Sequence, residues 1–138
     1  MTLIQTLCGS AAMLAACQAG AADLTVHVDD VKSGGGALVV AVYNSAGSFL
    51  RTALSSASSP ASGATGSVVI KDLPAGEIAF SVYHDANANG KMDRNLLGIP
   101  TERYAFSNNA LGKMGPPSFE QARFTLPAGG ASVRVSLR

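Results

Sequence analysis

Short segments in which apolar and polar residues alternate dominate the chain from residue 24 onward, and no window keeps helical spacing for three turns. A period of two places every second side chain on the same face of a β-strand, so that one face can be buried. Such segments, together with short β-branched runs, predict strands at 24–29, 37–43, 67–71, 77–84, 119–126 and 132–137. In the clearest of them, we expect Ile78, Phe80 and Val82 to point into the core.

Turn residues separate these predicted strands. The sequence D-L-P-A-G at 72–76 supplies a Pro and a Gly for a tight turn, and P-A-G-G at 127–130 links what we expect to be a final pair of strands, 119–126 and 132–137. The Ser/Ala/Gly/Pro-rich stretch 55–66 has no periodicity and is expected to be a loop or a frayed edge. The pattern predicts an all-β fold: an antiparallel Ig-like or transthyretin-like β-sandwich of about seven strands with one long ordered loop.

The composition supports one globular domain. The chain has 138 residues, of which 47% are hydrophobic and 14% are charged, and its net charge is +1. This hydrophobic content is too high for a disordered chain. The near-neutral charge lacks the clustered cations that a nucleic acid or an anionic membrane surface would require. We therefore expect no nucleic-acid partner.

The first 22 residues differ from the rest, because none of them is Asp, Glu, Lys or Arg. The apolar run 3–16 has the length of the hydrophobic region of a signal peptide and is too short to span a bilayer. Small residues at 19–22 offer cleavage sites of the A-x-A type directly before Asp23. We expect 1–22 to be a signal peptide and 23–138 to be a single exported domain, with no transmembrane span in the mature protein.

Both cysteines, Cys8 and Cys17, lie in this leader. Cleavage after Ala21 or Ala22 would therefore leave no thiol for a disulfide, a zinc site or a nucleophile. The sequence L-A-A-C at 14–17 also resembles a bacterial lipobox, in which the cysteine becomes the acylated first residue of a lipoprotein. Two alternatives stay open: a free periplasmic or secreted protein, and an outer-membrane lipoprotein with a lipid anchor at Cys17.

The connection between His84 and Phe119 is far longer than a hairpin loop, and loops of that length are usually functional or disordered. Apolar residues within it can attach it to the body of the domain, which favours order; they are Leu96, Leu97, Ile99, Tyr104 and Phe106.

This connection opens with D-A-N-A-N-G-K-M-D at 85–93, which follows the first nine positions of an EF-hand-type calcium loop. Alternate residues in a tight loop direct their oxygens to one centre, and Gly90 permits the sharp turn. Position 12 of such a loop is normally Glu, whereas this chain has Leu96. The expected Ca²⁺ ligands are Asp85, Asn87, Asn89, the Lys91 carbonyl and Asp93, with Glu102 folding back as a further carboxylate.

With few carboxylates, we expect a dissociation constant of roughly 10⁻⁴–10⁻³ M, as in extracellular modules. The alternative interpretation is that the Asn/Gly-rich string forms only a series of turns.

Two histidines are present, and neither belongs to a known catalytic motif. His27 is expected on the polar face of a strand, and His84 is expected to bond the loop backbone. A metal-assisted hydrolase or lyase using His84, Asp85 and Glu102 is the alternative, since imidazole moves protons near neutral pH. It requires that these side chains converge in a concave pocket.

Several ordered motifs resemble one family of exported bacterial proteins, domain-of-unknown-function family 2141. They are D-L-P-A-G at 72–76, H-D-A-N-A-N-G-K-M-D at 84–93, G-I-P-T-E at 98–102, F-S-N-N at 106–109 and G-P-P-S-F at 115–119. The family usually has Gly before the F-S-N-N element, where this chain has Ala105. The resemblance implies an exported β-sandwich with an ordered polar loop, and it implies no established activity.

These observations favour a non-enzymatic cell-envelope module, with the long loop displayed on a rigid scaffold to bind a ligand, a glycan or an envelope protein. A purely structural role, in which the loop covers one end of the sandwich, is the third hypothesis.

Overall fold

The computed structural model describes residues 21–31, 35–87, 96 and 102–138. Within these residues there are eight strands and one short helix. They are β1 (Ala21–Asp29), β2 (Ala37–Tyr43), β3 (Ser55–Pro60), β4 (Gly66–Pro74), β5 (Gly76–Asp85), β6 (Tyr104–Phe106), α1 (Phe119–Ala122), β7 (Phe124–Leu126) and β8 (Ala131–Ser136). A 3₁₀ turn, Ser107–Asn109, follows β6. No helix among the described residues is long and apolar enough to cross a membrane.

The strands form two sheets, which confirms the predicted all-β sandwich. One sheet has the order β4-β1-β8, and the other has the order β3-β2-β5-β6, with β7 also paired to β5. The pairings are antiparallel except that β1 and β8 run parallel. Strand β5 is central in the larger sheet: β2 lies along one side, and β7 and β6 lie in succession along the other.

The main core lies between the two sheets. Every second residue of β1 is buried there, namely Ala22, Leu24, Val26 and Val28, as the period-two pattern requires. The predicted inward face of β5 is confirmed, because Ile78, Phe80 and Val82 are fully buried in this core.

A second apolar cluster covers the outer face of the larger sheet. It contains Tyr43, Phe49, Ala79, Phe106, Phe119 and Ala122. The Phe49 ring lies 5.3 Å from Tyr43, 5.9 Å from Phe119 and 6.4 Å from Phe106 between centroids, distances typical of favourable aromatic pairs. Strand β5 is therefore buried on both of its faces.

At one position along β5, a serine side chain takes the place of a neighbouring strand as the hydrogen-bond partner of the backbone. Ile78 pairs with Phe124 of β7 and Val82 pairs with Ala105 of β6, so Phe80 falls in the gap between these two short strands. The Phe80 amide donates to the Ser107 hydroxyl at 3.0 Å, and that hydroxyl donates to the Ala122 carbonyl at 2.6 Å. Ser107 is completely buried, so these bonds are shielded from water.

The two residues after Ser107 fasten the same turn to other elements. Asn108 and Asn109 both have positive φ, a conformation that Asn tolerates better than most residues. The Asn108 amide donates to the Arg123 carbonyl at 2.9 Å, and the Asn109 side-chain oxygen accepts from the Ser136 amide of β8 at 3.0 Å. The S-N-N sequence thus connects β5, the end of α1 and the smaller sheet.

An exposed ion pair also fixes the start of β7. Arg123 lies 2.5 Å from Glu77 of β5 and 2.9 Å from Glu120 of α1. The hydrogen bond to Glu77, followed by the charge of Glu120, raises the pKa of Arg123 above its usual value. Because exposed ion pairs add little stability, we infer that these contacts mainly fix the register between β7 and β5.

The predicted strand 119–126 is wrong in its first half. Residues Phe119–Ala122 form α1, and only Phe124–Leu126 form a strand. The predicted final pair is also wrong, because β7 pairs with β5 in one sheet while β8 pairs with β1 in the other. A capping box explains the helix: Ser118 accepts from the Gln121 amide, and the Gln121 side chain accepts from the Ser118 amide.

The stretch 55–66 is more regular than expected. Its first six residues form the edge strand β3, which pairs with the whole of β2 except Tyr43. Small Ser and Ala side chains carry little β-propensity, so the pairing with the β-branched strand β2 determines this structure. Pro60 ends β3, at a sheet edge where a missing amide costs least.

Replacing Ser118 with Ala should destabilise the domain by about 1 kcal/mol, because the helix loses its N-cap acceptor. Urea denaturation followed by circular dichroism measures this change. The exposed residue Ser58 in β3 provides the matched control, since Ser58→Ala should change the free energy of unfolding by less than about 0.5 kcal/mol. Equal effects of the two substitutions would contradict the assigned cap.

Candidate functional site at the end of strand β5

Asp85 is the last residue of β5 and is only 2% exposed. Buried carboxylates are rare in proteins unless hydrogen bonds or charges compensate them. Asn87 follows two residues later and is exposed. The chain therefore leaves the core within two residues of the first predicted ligand.

The glycine-rich connection between β1 and β2 packs against this position. Gly36 has φ +67, and a Cβ placed there would lie 2.0 Å from the Asp85 carbonyl oxygen and 2.8 Å from Ala86 Cα. Side chains rarely accept that φ, and no side chain fits that space. Gly36 is thus required for the backbone of this connection to touch the backbone at Asp85.

His84 strengthens the same contact. The ring is buried, and its Nε2 atom lies 2.8 Å from the Gly35 carbonyl oxygen. Since a carbonyl only accepts, this hydrogen bond requires a proton on Nε2. The structural role predicted for His84 is therefore found, although the backbone that it bonds belongs to the β1–β2 connection and not to the long loop.

Glu102 returns from the far end of the long loop. Its Oε2 atom accepts a hydrogen bond from the Ala86 amide at 2.9 Å, across 16 residues of sequence. Ala86 directly follows Asp85, so the structure brings the carboxylate of Glu102 next to the residue that follows the first predicted ligand. Among the predicted site residues that the structure describes, Glu102 thus contacts the backbone between Asp85 and Asn87.

Backbone hydrogen bonds hold the two ends of the loop in register. The His84 amide donates to the Arg103 carbonyl at 2.9 Å, just before β6 begins to pair with β5. Tyr104 and Arg138 exchange two backbone hydrogen bonds of 3.2 and 2.9 Å, and the Arg103 side chain donates to the Leu137 carbonyl at 2.7 Å. The end of β8 therefore joins the smaller sheet to β6 beside the loop.

The remaining predicted ligands, Asn89, Lys91 and Asp93, lie outside the described residues. Among the residues that the structure does describe, no three His, Cys, Asp or Glu side chains are close enough together to hold a metal ion. Leu96 is fully exposed, so it does not attach the loop to the body of the domain. Tyr104 and Phe106 do, since Phe106 belongs to the aromatic cluster and Tyr104 packs against it. Leu97 and Ile99 are also outside the described residues.

His27 lies on the outer face of the smaller sheet, as predicted, but is partly buried there. It borders a shallow polar groove of about 220 Å³ together with Ser67 and the ion pair of Asp29 and Arg134, whose atoms lie 2.7 Å apart. The carboxylate and the guanidinium in this groove are therefore paired with each other.

Sequence reasoning missed the role of Gly36 and of Ser107. For Gly36, the available signal was the triplet of glycines at 34–36, because glycine beside a strand can mark a close approach of two backbones. For Ser107, the signal was a small polar residue between the aromatic Phe106 and two Asn residues. Nothing in the local pattern reveals that its partners are Phe80 and Ala122, which are distant in sequence.

Comparison with known proteins agrees with the motifs. No curated protein and no solved structure gives a significant match to this chain. One family model matches residues 26–134, and its description is "Uncharacterized protein conserved in bacteria (DUF2141)". This match includes β2 to β7 in full, four of the nine residues of β1 and four of the six residues of β8, and it covers the loop between Asp85 and Glu102. The chain therefore belongs to the DUF2141 family of bacterial proteins.

Proposed function

We propose that this protein is an exported cell-envelope module that is not an enzyme and that displays a Ca²⁺-binding loop on a rigid β-sandwich. The proposed ligands are the side chains of Asp85, Asn87, Asn89 and Asp93, the carbonyl of Lys91 and the carboxylate of Glu102. The bound ion would order the loop, and the ordered loop would bind a ligand, a glycan or another envelope protein.

The observation that carries this proposal is the hydrogen bond between Glu102 and the Ala86 amide. An EF-hand-type loop takes its last ligand from a Glu at position 12, which this chain lacks. The bond brings a carboxylate from the other end of the loop to the residue after Asp85. Glu102 is thus well placed to supply the anionic oxygens that Leu96 does not.

The rigidity of the loop ends also supports an ion site. The first ligand stands at the end of a strand that is buried on both faces, and Glu102 is one residue before the backbone bonds that start β6. A cation site gains affinity when its ligands are held in place before binding, since less conformational entropy is lost.

The environment of His84 favours binding over hydrolysis. A general base needs an accessible nitrogen within hydrogen-bond reach of a substrate or a water molecule. The Nε2 atom instead bonds the Gly35 carbonyl inside the protein, and the ring is only 4% exposed. This role of His84 in holding the β1–β2 connection weighs against the alternative of a hydrolase or lyase.

The proposal predicts that Ca²⁺ raises the melting temperature of the domain. With a dissociation constant of roughly 10⁻⁴–10⁻³ M, 10 mM Ca²⁺ should stabilise the folded state by about 1.4–2.7 kcal/mol relative to chelator, which for a domain of this size is a shift of roughly 5–10 °C. Differential scanning calorimetry measures the shift. Unchanged melting at 10 mM Ca²⁺ would remove the ion from the proposal.

Two matched variants test whether Ca²⁺ binds at the predicted loop. Asp93→Asn should abolish most of the Ca²⁺-induced shift and leave the melting temperature in chelator unchanged, because it removes one carboxylate from the loop only. Asp72→Asn is the control: Asp72 is exposed, has the positive φ that Asn accepts, and lies at the opposite end of the sandwich. A Ca²⁺ shift that persists in Asp93→Asn but is lost in Asp72→Asn would place the ion elsewhere.

A further inference from the structure

Strand β1 begins before the residue at which we expect the mature domain to start. Ala21 pairs with Pro74 and Ala22 pairs with Leu73 of β4. Ala22 belongs to the main core and is 1% exposed. The next residue, Asp23, accepts a hydrogen bond from the Asp72 amide at 3.2 Å, so this part of β1 is held on both sides of Ala22.

Each of the two A-x-A cleavage sites would damage this arrangement. A cut after Ala22 removes a core side chain and the pairings with Leu73 and Pro74. A cut after Ala21 makes Ala22 the first residue, which places a charged α-ammonium group on a residue that is 1% exposed. Placing that charge beside the core costs free energy, because a charged group loses hydration in apolar surroundings, and the pairing of Ala21 with Pro74 is lost as well.

We propose that the exported chain is processed on the N-terminal side of Ala21, so that the mature domain keeps the whole of β1. The inference rests on the export that is part of the proposed function. The step is hydrolysis of one peptide bond: the water oxygen becomes part of the new carboxylate of the leader, and the new α-amino group of the domain takes a proton. The sequence offers two such bonds, Ala16–Cys17 in the lipobox and Ala19–Gly20 with small residues at Ala19 and Cys17.

The position of Ala21 in the fold also places any upstream attachment at one end of the sandwich. Ala21, Pro74, Gly76 and Ala131 lie at one end of the sandwich, and strand β5 runs from that end to Asp85. A strand of this length extends about 30 Å. Any attachment upstream of Ala21, including a lipid on Cys17, would hold the domain by the end of the sandwich opposite Asp85.

The experiment is to express the full chain in a bacterium and to purify the protein from the cytoplasm, the cell envelope and the medium separately. Mass spectrometry of the intact protein and N-terminal sequencing then give its first residue. A chain whose first residue lies between Cys17 and Ala21 supports the inference. A first residue of Ala22 or later overturns the inference and leaves export standing. A chain that still begins at Met1 and stays in the cytoplasm overturns both the inference and the export on which it rests.

A second measurement tests whether Ala21 and Ala22 stabilise the folded domain. Chains produced to begin at Ala21 and at Asp23 should differ in melting temperature by roughly 5–10 °C, with the shorter chain less stable, because it lacks Ala22 in the core. Equal melting temperatures would overturn the argument from β1, whatever the cell does with the precursor.

Discussion

Gly36→Ala is expected to destabilise the domain by roughly 2–6 kcal/mol, the sum of about 1–3 kcal/mol for a non-Gly residue at positive φ and about 1–3 kcal/mol for overpacking. The reason is the contact between two backbones: the new methyl group would lie 2.0 Å from the Asp85 carbonyl oxygen. The β1–β2 connection would have to move away, and the hydrogen bond of His84 to Gly35 would be lost with it. Chemical denaturation in urea measures the change in the free energy of unfolding.

Substitutions at two other glycines separate the cost of the positive φ from the cost of the close contact. Gly35 has φ +98 but open space around its Cβ position, so Gly35→Ala should show only the cost of the positive φ. Gly47 has neither constraint, and Gly47→Ala should be close to neutral. The expected order of destabilisation is therefore Gly36→Ala, then Gly35→Ala, then Gly47→Ala. If Gly36→Ala proved no worse than Gly35→Ala, the close approach to Asp85 would be wrong.

Ser107→Ala should also cost roughly 2–6 kcal/mol, because it leaves two buried backbone groups without a partner at about 1–3 kcal/mol each. The Phe80 amide and the Ala122 carbonyl both bond the Ser107 hydroxyl, and Ser107 is completely buried. The volume change is small, so the lost hydrogen bonds dominate the effect. Equilibrium unfolding by urea, followed by both circular dichroism and tyrosine fluorescence, measures it.

The exposed Ser58→Ala again provides the matched control, with an expected change below about 0.5 kcal/mol. Amide hydrogen exchange gives an independent readout, since the protection of the Phe80 amide should fall more than that of Val40 in the neighbouring strand β2. If Ser107→Ala unfolded at the same urea concentration as Ser58→Ala, the hydrogen bonds of the Ser107 hydroxyl would not stabilise the sheet.

Local patterns predicted most of the strands. The alternation in 24–29 and 77–84 and the β-branched run 37–43 correspond to β1, β5 and β2, because a period of two leaves few other ways to bury one face of a chain. The S-x-x-Q pattern at 118–121 is typical of a helix N-terminus, and the prediction of a strand over 119–126 did not use it.

Long-range pairing was not predictable from the same patterns. The parallel pairing of β1 with β8 joins residues more than 100 positions apart, and nothing in either strand specifies that partner. The edge strand β3 was missed for a related reason, since its small residues take their conformation from β2 and not from their own propensity.

The candidate site was predicted as a list of ligands, and the structure adds how its ends are held. The sequence indicates Asp85 and Asn87 by their spacing and suggests Glu102 only as a carboxylate able to fold back. The bond from Ala86 to Glu102 depends on β6 pairing beside the end of β5, which is a tertiary contact. The ion site as a whole stays a prediction, and Asn89, Lys91 and Asp93 lie outside the described residues.

Strand β5 has neighbours on both edges and apolar clusters on both faces, so its amides should exchange with solvent only through global unfolding. Asp85 is the last residue of that strand, and its pairing with Ala37 of β2 holds its backbone in the sheet. A cation that binds there should therefore slow the exchange of every β5 amide by the same factor, because amides that exchange through global unfolding report the full stabilisation by the ion. A measurement on the body of the domain should thus detect an ion that binds only at the loop.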